Sequence, residues 1–234
     1  MSRHTFRFFT QATCRVGDEV TLSESDAQHA QVIRLRIGDG VEMVDPSGSV
    51  WEARMADRQH VAITARIAEA APEPCVELVA GVVTGHQWDE LLDGAVQAGA
   101  TSITPLVTRV KDADKVRARS DRSRRVVEAA ARQAKRRIIP LLGDPVTIDE
   151  LAAHDAGFVC VEGSMDAMPL DQAARMHADV AACVLVGPAA GLDAGDIDEL
   201  IGHGWVPVTL GPTIFRTQAA AMVAVAMLRL ARMA

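Results

Sequence analysis

The stretch CVLVGPAAGLDAGDIDEL, residues 183–200, reads as a buried strand that hands over to a helix. An apolar run from Cys183 to Val186 breaks at Gly187-Pro188 and passes through Ala189-Ala190-Gly191. It resumes as an amphipathic segment opening at Asp193. Glycine lets a backbone come close to a ligand because no Cβ intervenes, and proline stiffens the same turn. A second strand pattern, WVPVTLG, ends in Gly211-Pro212, and the segment after it is the long helix former TQAAAMVAVAMLRLARM. Two strands that each end in Gly-Pro mark one edge of a sheet as the place where a ligand is held.

Working outward, residues from 76 onward alternate strand and helix. VELVAGVV, SITPLVT, GFVCVEG and CVLVGP read as strands, while WDELLDGAVQAGA (stopped at Gly99) and DRSRRVVEAAARQAKRR read as helices. Such alternation predicts an α/β domain with a mostly parallel sheet and ligands at the carboxyl ends of its strands. Residues 1 to about 70 differ in texture. HTFRFF, EVTLS, GVEMVDPSGSVWEARM and HVAITARIAE are short alternating segments, with a hairpin turn at Asp45-Pro46-Ser47-Gly48. SESDAQHAQVIRLRIGDG, capped by Ser and Asp, reads as one helix ending near Gly38. Several short strands around one helix predict a small β-barrel. AEAAPEPCVEL, with Pro72 and Pro74, is the expected linker, giving domains over 1–71 and 75–234.

Composition narrows the function. Half of the 24 Lys and Arg residues fall between Arg109 and Arg137, opposed only by Asp112, Asp114, Asp121 and Glu128, although the whole chain carries −7. That concentration is the footprint of phosphate binding, against the plainer reading of a solvated helical face. The four cysteines (14, 75, 160, 183) are far apart with no CxxC, and the seven histidines are dispersed, which argues against a disulfide scaffold or a metal site. There is no apolar signal segment at the N-terminus, and the run Ala219 to Leu228 is too short to cross a bilayer. The expectation is a cytoplasmic protein without membrane contact. Dinucleotide, P-loop, nucleophile-elbow and zincin motifs are absent, so the reactive group is expected to come from a cofactor.

Several segments, in chain order, resemble the RsmE-type 16S ribosomal RNA uridine N3-methyltransferases of the SPOUT superfamily. RFF at 7–9 and HAQVIRLRIGD at 29–39 are similar to the family's N-terminal barrel pattern. LLDGAVQAGATSITPLVT, RQAKRRIIP, VLVGPAAGLDAGDIDEL and VTLGPTIFRTQAAAMVAVAML follow its second domain. The resemblance implies an N-terminal PUA-like β-barrel followed by a SPOUT-type α/β domain with a C-terminal trefoil knot. It also implies S-adenosyl-L-methionine as cofactor, 16S rRNA of the small ribosomal subunit as partner, and a homodimer. The cofactor would lie against Val186, Gly187, Pro188, Gly191, Leu210, Gly211, Ile214, Phe215, Arg216, Thr217 and Ala219. Arg136, Arg216 and Gln133 would be catalytic: an arginine would donate to a uracil carbonyl and Gln133 would read the base edge. Arg7, Arg34, Arg36, Arg122, Arg124, Arg125 and Lys135 would hold RNA phosphates.

The chain departs from the pattern in places. Ala189 and Ala190 stand where the family has Glu and Gly, Gln218 and Arg132 where it has Glu, and Thr84 or Gly85 where it has Lys. Two further readings therefore stay open: a non-catalytic RNA-binding protein of ribosome assembly on the same fold, and a SPOUT methyltransferase with another RNA target.

Overall fold

The computed structural model describes residues 5–70, 73–151, 153–162, 167–177 and 180–233. The chain divides into two units. The first comprises residues up to 73 together with 131–138, and the second takes 74–130 and 139 onward. The linker prolines' neighbourhood at 71–72 lies outside the described residues.

In the first unit, β1 (Phe6–Phe9), β2 (Glu19–Thr21), β3 (Gly40–Val44), β4 (Val50–Met55) and β5 (His60–Ala68) form one curled sheet in the order β1-β3-β4-β5-β2. Alternation along the strands puts Phe8, Val41, Met43, Ala53, Val61 and Ile63 into one buried cluster. Burying each large side chain fully is worth about 1.5–3 kcal/mol. The expected hairpin is present, with β3 and β4 antiparallel from Gly40↔Arg54 to Val44↔Val50. Its turn is organised by Asp45, whose carboxylate accepts from the Ser47 N–H at 2.9 Å and the Trp51 indole N–H at 2.9 Å. Burial pushes the Asp45 carboxyl up, but hydrogen bonds from the Ser47 hydroxyl, the Trp51 indole and the Ser47 N–H outweigh it and hold it below the ordinary value. A depressed folded pKa gives stability that is present above the unfolded pKa and lost as pH falls through the folded one. Asp45→Asn is therefore expected to lower unfolding stability by about 1–2 kcal/mol at neutral pH. The gap between variant and parent should narrow in urea titrations as pH falls through the depressed pKa of the folded state.

The helix of this unit, α1 (Glu24–Val32), is capped by Ser23, whose Oγ accepts from the Asp26 N–H at 3.1 Å. It stops six residues before the glycine that the sequence suggested. Arg34 adopts φ +61°, its N–H donates to Gln31 O (3.1 Å), and Leu35 N–H donates to Ala30 O (2.9 Å). This is a Schellman closure with an arginine in the left-handed position usually held by glycine. Leu35 then turns back onto the barrel core.

The second unit is a seven-stranded, all-parallel sheet of β6 (Val76–Gly81), β7 (Ser102–Leu106), β8 (Leu141–Leu142), β9 (Ala156–Cys160), β10 (Met168–Pro169), β11 (Ala182–Val186) and β12 (Val206–Thr209). Its order is β10-β12-β9-β11-β6-β7-β8. The chain builds β6, β7 and β8 outward in one direction, reverses to β9 and β10, and then inserts β11 between β9 and β6 and β12 between β10 and β9. Strands buried on both faces are near-continuous apolar runs, as ACVLV shows.

Helices α2 (His86–Ala98), α5 (Leu170–Met176) and α7 (Thr217–Ala231) pack together, and α7 also lies against β6 and β11. α2 ends where the sequence indicated, at Gly99 with φ +114°. Helix α6 (Ala194–Gly202) packs with a 3-10 turn at Ile148–Glu150 on a core of Leu151, Val159, Cys183, Leu185, Leu200 and Trp205. Two further helices carry the basic stretch, α3 (Val110–Arg117) and α4 (Ser120–Gln133). α3 escapes the sequence reading because it is short and mostly charged, with only Val110, Ala113 and Val116 to mark an apolar face. Trp88 of α2 is buried, and its indole N–H donates to Ser123 Oγ of α4 at 3.2 Å. Among the described residues no helix is long and apolar enough to cross a membrane.

Candidate functional site

In an open parallel sheet, ligands bind beyond the carboxyl ends of the strands where the chain's direction of winding reverses. Here that reversal falls between β6 and β9, the gap that β11 fills. The loop of the opening stretch therefore leaves β11 at the reversal point. The loop after β12 leaves the same edge one strand beyond β9, because all the strands are parallel.

The first loop is a tight turn. Val186 ends β11 buried, and Gly191 N–H donates to Pro188 O at 2.8 Å. Gly191 carries φ +80°, while neither Ala189 nor Ala190 has a positive φ. The two alanines thus fit the turn without left-handed strain. Asp193 then caps α6, its carboxylate accepting from Asp196 N–H at 2.9 Å while Asp196 accepts from Asp193 N–H at 3.1 Å.

Beneath this loop lies a residue the sequence reading did not single out. Gly81 ends β6, and a Cβ built there would stand 2.1 Å from the Pro188 nitrogen and 2.5 Å from the Gly187 carbonyl carbon. The loop crosses the strand end backbone to backbone, so only glycine fits. The available signal was a glycine terminating an apolar strand, a mark of close backbone approach.

The second loop begins at Leu210. Thr209 Oγ1 accepts from Gly211 N–H at 3.1 Å, and Gly211 has φ +120° with open space where a Cβ would stand. Ile214 is 77% exposed, Phe215 is half-buried, and Arg216 is an exposed N-cap residue of α7. Thr217 is buried and Ala219 exposed in the first helical turn. Backbone N–H groups at such a helix start face outward and favour an electron-rich ligand. Asp193, committed to its cap, is the one carboxylate in the two loops. A separate hollow of about 540 Å³, lined by Arg109, Lys111, Thr147, Asp149, Asp196 and Glu199 among others, includes none of the expected site residues.

The remaining expected residues belong largely to the first unit. Gln133 is the exposed last residue of α4. Arg136 is 6% exposed, with its guanidinium donating to Glu73 at 2.9 Å. Lys135 has φ +50°, its N–H donating to Arg132 O (3.2 Å) while Arg136 N–H donates to Ala131 O (2.9 Å). This is a second Schellman closure with a cation at the glycine position.

Ion pairs hold the segment to the rest of the first unit. Arg132 meets the buried Asp26 at 2.8 Å, Lys135 meets Glu42 at 3.5 Å, and Arg136 meets Glu73. Arg7, expected on phosphate, has a different job. Its side chain is a tenth exposed and donates to Glu42 (2.9 and 2.7 Å) and to the carbonyls of Lys135 and Arg136.

Arg34 and Arg36 are exposed on the same unit. On α4 in the second unit, Arg122, Arg124 and Arg125 are exposed. Arg122 meets Asp89 at 2.6 Å and Arg124 lies 3.7 Å from Asp121. Such exposed pairs are weak and screened by salt, so these cations remain available to an anionic polymer. Since a left-handed arginine costs about 1 kcal/mol, Arg34→Gly should raise the unfolding free energy by roughly that amount.

Comparison with known proteins places these features in a family. Residues 71–229 match the model of the RNA methyltransferase domain. The chain is 28% identical over 218 residues to the ribosomal RNA small subunit methyltransferase E of Synechocystis, covering 88% of this chain and 71% of that protein. It is 26% identical to the Mycobacterium bovis protein of the same name, over 93% and 88% of the two chains. Its fold matches that of the Neisseria gonorrhoeae ribosomal RNA small subunit methyltransferase E bound to S-adenosyl methionine. The TM-score is 0.83 at 23% identity, covering 97% of this chain and 98% of that one. A Legionella pneumophila methyltransferase in complex with the same cofactor gives 0.83 at 23%, over 98% of each. The expected fold class, a PUA-like barrel followed by a SPOUT α/β domain, is borne out.

Proposed function

Because the chain belongs to the RNA methyltransferase family, we propose that it methylates 16S ribosomal RNA of the small subunit at N3 of a uridine, with S-adenosylmethionine as donor. The observation that carries this reading is the meeting of Gly81, Gly187 and Pro188 backbone to backbone at the point where the sheet's winding reverses. This close crossing seats the loop directly on the strand end, so its outward backbone groups are held in place for a ligand.

The residues present fit the cofactor. Gly191 and Gly211 leave open space where a Cβ would stand, and the loops between them offer backbone donors and the exposed side chain of Ile214. Val186, Gly187, Pro188, Leu210, Gly211, Phe215, Thr217 and Ala219 complete the proposed holding set. When bound, S-adenosylmethionine supplies an electrophilic methyl group. The protein's part is alignment and charge stabilisation. Uracil N3 must lose its proton as it becomes a nucleophile. Arg216, exposed and carrying a fork of N–H donors, is proposed to donate to a ring carbonyl and so stabilise the developing imide anion. Gln133 is proposed to pair with the uracil edge. Arg136, buried against Glu73, is proposed to fix the backbone beside Gln133 rather than to touch the base. Arg34, Arg36, Arg122, Arg124, Arg125 and Lys135 are proposed to hold phosphates. Arg7 would instead position Lys135 and Arg136 through their carbonyls.

A homodimer is proposed from α7. Its outward side presents Met222 (48% exposed) and Leu230 (67%), with Met233 (64%) just beyond, a row of large apolar groups on a helix without acidic residues. Leu230→Glu is expected to convert a dimer into a monomer in sedimentation equilibrium. A parent chain that already sediments as a monomer overturns this part of the proposal.

Calorimetric titration with S-adenosylmethionine and its demethylated product tests the cofactor reading. Micromolar binding that is lost in Gly211→Arg is expected. No heat at millimolar cofactor, with ribosomal RNA still bound, would leave an RNA-binding protein on a methyltransferase fold.

A further inference from the structure

We propose that Glu77, His154 and Cys183 form a binding site for a divalent transition-metal ion of the zinc class, at the edge of the sheet opposite the cofactor loops. The three come from distant parts of the chain. Glu77 is the second residue of β6, Cys183 the second of β11, and the two are direct partners across the parallel ladder. His154 lies two residues before β9, the other neighbour of β11. One ligand atom from each, a carboxylate oxygen, an imidazole nitrogen and the thiol sulfur, falls within 4.8 Å of the other two. The spacing of cysteines and histidines along the chain argued against a metal because it registers only ligands that are neighbours in sequence. Here strand pairing does the gathering.

The geometry needs little adjustment. Metal–ligand bonds of about 2.0–2.3 Å set tetrahedral ligand atoms roughly 3.6 Å apart. Contraction of about an ångström is within rotamer reach of Glu77 and His154, both partly exposed, while Cys183 stays fixed in the core. A water molecule would complete the fourth position.

The donor set selects the ion. Thiolate and imidazole suit a borderline metal, whereas magnesium and calcium ask for oxygen throughout. A thiolate and a carboxylate together cancel a dication, so the complex enters the apolar surroundings of Val79, Leu185 and Trp205 without net charge. The His154 ring stands edge-on to Trp205, centroids 5.2 Å apart, which fixes its plane. In the metal-free chain, burial first and then the negative charge of Glu77 push the Cys183 thiol well up, and a bound cation reverses that balance. A metal here would tie β6, β11 and the entry to β9 together. The site is structural, and it stands apart from the proposed methyl transfer.

The test is titration of the chelator-stripped full chain with cobalt(II), followed by absorption spectroscopy. A single equivalent is expected to bind with a thiolate-to-cobalt charge-transfer band, to be displaced by zinc, and to raise the melting temperature. His154→Ala and Glu77→Gln should each retain the fold by circular dichroism and lose about tenfold or more in cobalt affinity. Cys183→Ser should lose the charge-transfer band, and the two partly exposed variants carry the test if that core change impairs folding. No charge-transfer band at stoichiometric cobalt overturns the proposal. So does an unchanged affinity in both His154→Ala and Glu77→Gln. Calorimetry with S-adenosylmethionine on the same samples keeps this result separate from the fate of the methyltransferase reading.

Discussion

Gly81→Ala is expected to weaken cofactor binding by at least about a hundredfold while most of the fold survives. The added methyl would stand 2.1 Å from Pro188 N, 2.4 Å from Pro188 Cα and 2.5 Å from the Gly187 carbonyl carbon. All three are main-chain positions, so no side chain can swing aside. Either β6 or the 187–192 loop must shift, and β6 is held between β11 and β7 in the middle of the sheet. The loop will give. Overpacking of this kind costs about 1–3 kcal/mol in stability, and displacement of a loop that forms a binding site should weaken affinity by at least about a hundredfold. Gly191→Ala supplies the contrast. Its φ of +80° is strained for alanine, but nothing lies within 4 Å of the new Cβ. Its cost should be about 1 kcal/mol, or roughly five- to tenfold in affinity. Calorimetry on both variants, with thermal melts alongside, ranks them. Parental affinity in Gly81→Ala would mean that the ligand does not depend on this crossing.

The second large effect is expected at Asp26. Its residue is 1% exposed, on α1, and its carboxylate meets Arg132 at 2.8 Å. Removing one partner of a buried pair strands the other charge, at a cost of about 3–5 kcal/mol. Asp26→Ala should therefore be strongly destabilising, and Arg132→Glu, which sets two carboxylates together, more so. The double exchange Asp26→Arg with Arg132→Asp should recover part of the loss, and a double-mutant cycle in urea measures it. The effect on activity should be selective. Residues 131–138, with Gln133 and Lys135, belong to the unit that Asp26 stabilises, while the cofactor loops belong to the other. Asp26→Asn, the mildest change, should weaken RNA binding and leave cofactor affinity unchanged. A parallel loss of both would contradict the assignment.

That pair also accounts for a departure that the sequence made conspicuous. Arg132 stands where the resemblance implies an acidic residue, and its partner Asp26 is about a hundred residues away along the chain. No local pattern could have joined them. Strands and amphipathic helices were legible because burial imprints a period on adjacent residues, as in the alternation of β4 or the apolar run of β11. The hairpin at Asp45 and the stop of α2 at Gly99 were legible because turn and cap chemistry is local. The end of α1 was missed because a tertiary contact, Leu35 on the barrel core, holds Arg34 in a left-handed conformation that its residue type does not announce. For the same reason Lys135 looked like the interior of a basic helix rather than its closure.

The site was legible in its loops and not in its floor. Gly187-Pro188 and Gly211-Pro212 announce close approach by composition alone. The strand order that sets β11 at the reversal of winding, and the crossing over Gly81, follow from topology. Arg7 shows the converse, since a cation in a short strand reads as a phosphate contact until Glu42 and two carbonyls are seen to occupy it.

The most direct test of the proposed reaction is methyl transfer itself. The purified chain, S-adenosylmethionine labelled in its methyl group, and small ribosomal subunits lacking the modification would be incubated together. The RNA would then be digested to nucleosides and separated. Label is expected in 3-methyluridine, with the signal lost in Arg216→Ala at saturating cofactor. Label in a ribose or another base, or none while calorimetry shows the cofactor bound, would contradict the proposed reaction.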